Sequence, residues 1–355
     1  MNVQMNLTTT PKQKPVDESK LGFGHVFSDH MLLINYTEGK GWHDARIEPY
    51  HNISLDPACQ VLHYGQEIFE GLKCYRTPKG EFQLFRPQAN FERFARSAER
   101  MGMAPLPVEE GLDTLLKLLN VDKEWTPHEE GTSLYIRPTM IATDSFLGVS
   151  ASKTYLYYVL LSPSGAYYAE GLAPVGIYVE DSYVRAVRGG IGFAKTGGNY
   201  AASILAGAKA KKNGYAQVLW LDGVHQRYIE EVGAMNMMFV YEDKKIVTPA
   251  LNGSILPGIT RDSVLQLAKK MGYETEEVRM DINDVVADIK AGRITEAFGT
   301  GTAAVVSPVS KLCYQGEELQ IGDGSIGHIT MDLYNTLTGI QFGKIEDPMG
   351  WVVKV

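Results

Sequence analysis

Apolar residues along this chain recur with two different periods, and each period marks an element. Phe91, Phe94, Ala95 and Ala98 follow the i, i+3, i+4, i+7 spacing of a helix face. They predict a helix over 88–101, opened by Pro87, with Arg93 on a different face from the stripe. Leu112, Leu115, Leu116 and Leu119 predict a second helix over 108–119. Apolar runs dense in aromatic and β-branched residues predict strands at 31–35, 133–142 and 154–161. Trp42, Ile47 and Ile53 are spaced by polar residues, as in half-buried strands. The segments 73–76 and 81–85 flank Thr77-Pro-Lys-Gly, a turn signal, and predict a β-hairpin.

Ser162 to Pro174 is rich in Ser, Gly, Pro and Ala and is the best linker candidate. The expected organisation is a polar arm (1–20), a small N-terminal domain (21–168), a linker (169–178) and a larger C-terminal domain (179–355). Past the linker a strand is expected over 175–187, then a glycine-rich stretch from Gly189 to Tyr200. A helix over 200–212 should turn Ile204, Leu205 and Ala208 inward; lysines crowd its last turn and Gly214 sits just past its end. Strands are expected at 216–221, 235–240 and 246–248, and helices at 261–271, 282–291 and 329–341. Phe298-Gly-Thr-Gly-Thr predicts a turn running into a strand. Helices and strands mix in both halves without regular βαβ alternation, which predicts an α+β fold.

Composition narrows the function. The chain has 355 residues, 44% hydrophobic and 21% charged, as in ordinary globular proteins. A formal net charge of −8 argues against binding nucleic acid or an anionic membrane, both of which need basic clustering. Three cysteines, none at metal or redox-motif spacing, indicate reduced thiols. No apolar run is long enough to span a bilayer, and the first twenty residues lack the features of a targeting peptide. A cytoplasmic protein without a metal site is expected.

The candidate chemistry lies at Lys195, set among glycines in Gly189-Gly-Ile-Gly-Phe-Ala-Lys-Thr-Gly-Gly-Asn-Tyr. A lysine in such a place either clamps a phosphate or reacts as an amine. In the first case the stretch is a phosphate loop of a nucleotide-binding ATPase, with the run ending in Asp222 as its acidic strand. Ala194 then replaces an essential glycine, and Gly197-Gly198 stands where a helix must begin. In the second case the lysine forms an imine with pyridoxal phosphate. That cofactor needs an amine, a carboxylate for its pyridine nitrogen, a partner for its phenolic oxygen and a cradle for its phosphate. Lys195, Glu231 and Tyr200 can supply the first three. Gly258-Ile259-Thr260 at a helix start, Gly299-Thr300-Gly301-Thr302 and Arg93 are candidates for the fourth.

Several segments together carry a resemblance. They are Leu62-His-Tyr-Gly, Ile68-Phe-Glu-Gly-Leu-Lys, Leu84-Phe-Arg-Pro, Ser133-Leu-Tyr-Ile-Arg-Pro, Lys195-Thr-Gly-Gly-Asn-Tyr, Gln217-Val-Leu-Trp-Leu, Glu231-Val-Gly-Ala-Met-Asn, Leu256-Pro-Gly-Ile-Thr-Arg and Phe298-Gly-Thr-Gly-Thr-Ala. In this order, from about residue 21 onward, the sequence resembles the branched-chain amino acid aminotransferases of the fold-type-IV pyridoxal phosphate enzymes. The resemblance implies a homodimer of two-domain subunits, a small α/β domain before a larger pseudo-barrel domain. It places the cofactor between the domains and close to the dimer interface. It implies Lys195 as the Schiff-base lysine, Glu231 at the pyridine nitrogen and Tyr200 at the phenolic oxygen. Arg93, Ile259, Thr260 and Thr302 would hold the phosphate. Phe23, Phe69, Tyr135, Tyr167 and Ala303 would line the substrate pocket with Arg137 nearby, and the partner subunit's Tyr64 would reach in.

The implied reaction is a ping-pong transfer between leucine, isoleucine or valine and 2-oxoglutarate. Ala304 and Ser307 stand where animal members carry a redox Cys pair, so thiol control is not expected. Ala234 replaces a threonine of those members. The rival activities on the same fold are D-amino acid aminotransferase and aminodeoxychorismate lyase.

Overall fold

The strands Ser133–Ala142 and Thr154–Ser164 pair antiparallel along their whole length, from Ser133 opposite Ser164 to Ala142 opposite Tyr155. Their density of Tyr, Ile, Leu and Val suits a pleated, buried surface. They centre one sheet of a computed structural model that describes residues 1–165 and 172–355. The chain divides into two units, one of Met1–Ala169, Ala194–Gly197 and Ile340–Val355, the other of Glu170–Phe193 and Gly198–Gly339. The expected linker falls partly, and Tyr167 wholly, outside the described residues.

In the first unit the sheet runs Gln4–Met5, Gly41–Pro49, His30–Thr37, Thr154–Ser164, Ser133–Ala142, Leu72–Arg76, Phe82–Phe85, Val352–Lys354. Glu67–Phe69 also pairs with Ser133–Ala142, in the register that Leu72–Arg76 continues: Phe69 faces Thr139 and Lys73 faces Tyr135. Side chains therefore alternate. Ile68, Leu72, Cys74, Leu134, Ile136 and Met140 enter the core with Phe91, Phe94, Leu115 and Leu118 of the helices Pro87–Arg100 and Val108–Asp122. Burying a side chain such as Phe94 contributes roughly 2–3 kcal/mol. The opposite face carries Glu67, Phe69, Gly71, Tyr135, Arg137 and Thr139.

The second unit contains a closed barrel of six strands. Its order is Ile229–Val232, Gln217–Leu221, Val175–Glu180, Val305–Tyr314, Ile294–Gly301, Met235–Tyr241, and Glu231 opposite Asn236 returns to the start. Ile177, Leu219, Phe239 and Leu312 are buried within its core cluster. The fold is α+β, as its mixed order predicts.

Several elements differ from expectation. The strand from Val175 stops at Glu180. The expected helix over 200–212 is two pieces, Gly197–Ala201 and Ile204–Lys212, with a turn between. Ala206 and Ala210 face inward; Ile204 (71% exposed) and Leu205 (54%) face out, as does Ala208. The reason is volume: the fully buried indole of Trp220 fills the space under this helix and admits only alanines. Phe298–Gly301 is the end of a strand rather than a turn. Side chains at Gly299 or Gly301 would press on Met235, so these glycines serve close packing.

Candidate active site

The helix Pro87–Arg100 carries a polar line beside its apolar stripe: Asn90, Arg93 and Ser97 lie at i, i+3, i+7 and are all buried. Each has a task. Arg93 makes a two-pronged pair with Glu70, Nε to Oε1 at 2.7 Å and Nη2 to Oε2 at 2.9 Å. Asn90 donates to the same carboxylate at 2.8 Å. Burial pushes the Glu70 carboxyl up, but the charges of Arg93 and Lys195 and the donors around it win and hold it below its usual range. Ser97 Oγ accepts the backbone N–H of Lys195 at 2.9 Å.

The strand Glu67–Phe69 holds the same lysine from its other end. Phe69 N–H donates to the Lys195 carbonyl at 3.0 Å. The Thr196 hydroxyl donates to the Glu67 carbonyl at 2.7 Å, and Gly197 N–H donates to Glu67 Oε1. Lys195 thus has a fixed backbone, and its Nζ lies 4.9 Å from the Phe69 ring centre. The Arg137 guanidinium shares that ring at 4.7 Å and lies 5.2 Å from the ring of Tyr135. Its Nη2 donates to the Tyr135 hydroxyl at 2.9 Å, while its buried Nε has no acceptor among the described residues. Gly71 makes this possible, because the Tyr135 hydroxyl occupies the place where a Cβ at 71 would stand. Phe23 packs edge-on against Tyr135 with ring centres 4.7 Å apart.

Of the residues expected in this unit, Lys195, Phe23, Phe69, Tyr135 and Arg137 therefore come together, and Arg93 sits in the ion pair behind the lysine segment. Tyr64 does not join them. It is exposed at the end of the short helix Gln60–Tyr64, and its hydroxyl donates to the Leu147 carbonyl.

In the second unit Glu231 is buried on a barrel strand. Its Oε1 accepts the Leu256 N–H at 2.6 Å, and its Oε2 lies 3.1 Å from Arg185 Nε. Both contacts suit a negatively charged carboxylate. Arg185 Nη2 also donates to the carbonyls of Gly192 (3.0 Å) and Ser254 (2.5 Å). One buried guanidinium thus ties Glu231 to two loops. The neighbouring Glu230 faces elsewhere, toward Asn252 and Ser254. Ile259 and Thr260 open the helix Ile259–Lys270, whose N-cap, Gly258, makes no side-chain capping bond. Thr302 and Ala303 lie in the tight turn after Ile294–Gly301, and Thr300 Oγ1 is buried with no hydrogen-bond partner among the described residues. Tyr200 is half-buried on Gly197–Ala201. Among the described residues no His, Cys, Asp or Glu cluster is placed to hold a metal, and no helix is long and apolar enough to cross a membrane.

Residues 67–312 match the family Amino-transferase class IV. A probable branched-chain-amino-acid aminotransferase of Staphylococcus aureus (strain MRSA252) is 54% identical over 354 residues, 99% of this chain and 98% of that one. The chain belongs to the branched-chain aminotransferases of amino-transferase class IV. The solved branched-chain amino acid aminotransferase of Escherichia coli superposes with a TM-score of 0.76 at 28% identity, covering 91% of this chain and 98% of the other. The T.th. branched-chain amino acid aminotransferase complexed with N-(5'-phosphopyridoxyl)-L-glutamate gives 0.73 at 27% identity over 90% and 97%.

Within this branched-chain aminotransferase, Glu67, Glu70, Ser97 and Arg185 escaped the sequence reading. The polar line at 90, 93 and 97 was a readable signal for the first helix; nothing local marks Arg185. Removing one partner of a buried ion pair strands the other charge. Arg185→Met is therefore expected to lower the unfolding free energy by about 3–5 kcal/mol in urea titration. A loss under about 1 kcal/mol, the worth of an exposed pair, would mean that Glu231 is held by other groups.

Proposed function

We propose that the chain moves the amino group between L-leucine, L-isoleucine or L-valine and 2-oxoglutarate by a ping-pong reaction, with pyridoxal 5'-phosphate as cofactor. One observation carries this reading. A lysine with a fixed backbone and an arginine with an unused donor lie on the same aromatic ring. An amine is thereby set beside an apolar surface that also has a way to recognise a carboxylate.

The residues fit the cofactor. Lys195 offers the amine, and Glu231 a buried, charge-paired carboxylate for the pyridine nitrogen. Tyr200 would meet the phenolic oxygen. The helix start at Ile259 and Thr260, with Thr302 and Arg93, would take the phosphate. The glutamate conjugate bound by the T.th. relative supports both the cofactor and the dicarboxylic substrate.

When bound, the cofactor supplies the sink for the electrons of the substrate's Cα–H bond. Lys195 Nζ takes the Cα proton; the residue's backbone N–H, donated to Ser97 Oγ, and its carbonyl, which accepts the Phe69 N–H, keep it within reach. Phe23, Phe69 and Tyr135 offer apolar area to a branched side chain, with Tyr167 and Ala303 as further lining. Arg137 answers the distal carboxylate of glutamate. We further propose a cytoplasmic homodimer in which the small and large domains are these two units. Leu62, Tyr64, Phe146, Leu147 and Val149 are exposed apolar or aromatic side chains of the first unit, suited to a subunit interface that brings in the partner subunit's Tyr64.

Single-turnover half-reactions test this reading. The protein should convert L-leucine and L-glutamate but not D-alanine. Arg137→Met should slow glutamate more than leucine by about 2–3 kcal/mol in activation free energy, as for a lost charged hydrogen bond. Equal losses would remove Arg137 from side-chain recognition, and turnover of D-alanine in place of L-leucine would move the protein to the D-amino acid activity.

A further inference from the structure

A site that serves leucine and glutamate in turn meets a charge problem. Arg137 must attract a distal carboxylate, yet when an isobutyl group fills the pocket the same guanidinium is left half-buried with nothing to balance it. The first unit holds a counter-charge on the same face. Glu67 is opposite Ile141 and Phe69 opposite Thr139, while Arg137 is two residues from Thr139 along the strand. Side chains alternate along strands, so Glu67, Phe69 and Arg137 share one face of the sheet. The Phe69 ring that carries the Arg137 guanidinium is two residues from Glu67 on that face. Tyr158, opposite Thr139, feels both charges: after burial, Glu67 pushes its hydroxyl up and Arg137 pulls it down.

We propose that Glu67 is the resident counter-charge of Arg137 and sets the balance between apolar and dicarboxylic substrates. Glu67 is a positioning residue. Its carboxylate balances the guanidinium when the substrate side chain is apolar, and a substrate carboxylate takes over that role when glutamate enters. Burial pushes the Glu67 carboxyl up, while the Gly197 N–H and the charge of Arg137 pull it the other way. Lys73 of the strand Leu72–Arg76, opposite Tyr135, also lies on that face, and burial pushes its amine down to about 8. Lys195 Nζ also lies 4.9 Å from the Phe69 ring centre, but the cation whose charge acts on the Glu67 carboxyl is Arg137. The inference rests on the reading of Arg137 as the group that answers a distal carboxylate.

Glu67→Gln isolates the charge, because the amide oxygen can still accept the Gly197 N–H. In half-reactions with the cofactor-loaded enzyme, KM for L-leucine should rise about tenfold while KM for L-glutamate falls or holds. The shift in selectivity should vanish when Glu67→Gln is combined with Arg137→Met, since there is then no charge to balance. A parallel change for both amino acids would overturn the proposal and leave Glu67 only as a clamp on the Lys195 segment. A selectivity shift that persists beside Arg137→Met would overturn it too. Failure of the wild-type protein to act on L-leucine or L-glutamate would instead remove the underlying reading before Glu67 is tested.

Discussion

Lys195→Ala should fold, retain affinity for pyridoxal phosphate and lose turnover by about four orders of magnitude or more, the upper range for one positioned acid–base group. The backbone of residue 195 is held by Ser97 and Phe69 through main-chain atoms, so the alanine variant keeps that frame. Only the amine goes. Borohydride reduction of the wild-type holoenzyme followed by peptide mapping should place the cofactor on Lys195 and give no label in the variant. Lys73 is the chemical rival, since burial brings its amine down to about 8 and so makes it partly neutral near physiological pH. Label on Lys73, or on Lys209 or Lys211, would overturn the assignment.

Glu231→Gln should bind the cofactor and slow Cα proton removal about a hundredfold or more, as when a fixed electrostatic partner is removed from an active site. The amide preserves shape and can still accept the Leu256 N–H. It cannot carry the charge that a protonated pyridine nitrogen requires, and it leaves Arg185 without its ion pair. Glu230→Gln is the matched control, because that carboxylate serves Asn252 and Ser254 instead. Pre-steady-state absorbance with L-leucine would decide between them. A crippled Glu230→Gln beside a nearly normal Glu231→Gln would reverse the roles.

The elements that could be read from the sequence are those whose surroundings repeat their own period. Pro87–Arg100 buries a face at helical spacing and Ser133–Ala142 is buried on both faces, as its largely apolar run requires, so their extents match the pattern closely. The helix Ile204–Lys212 misled because which face turns inward was decided by Trp220 on another element. The glycines at 299 and 301 misled because a turn and a close approach both call for glycine. Barrel closure depends on Glu231 and Val232 pairing with Asn236 and Met235 while four other strands complete the ring. No local pattern contains that information. The same holds for the candidate site. Lys195 stands out by its glycines, whereas Arg185 and Glu67 matter through partners 46 and 130 residues away. A single cut along the chain likewise cannot capture Ala194–Gly197 and Ile340–Val355 clustering with the first unit.

The strand Val352–Lys354, paired with Phe82–Phe85, has a consequence for biosynthesis. On the ribosome, Phe82–Phe85 emerges long before the segment that will cover it. Until Val352–Lys354 has been made, this margin of the sheet offers its N–H and C=O groups to any passing strand. Gln83, which later donates to the carbonyls of Ile340 and Gln341, waits equally long. The usual order, in which the N-terminal part matures while the remainder is still being made, is thus closed to the first unit. A chain cut short before Val352 would keep an open, adhesive margin, a natural substrate for chaperones and proteases.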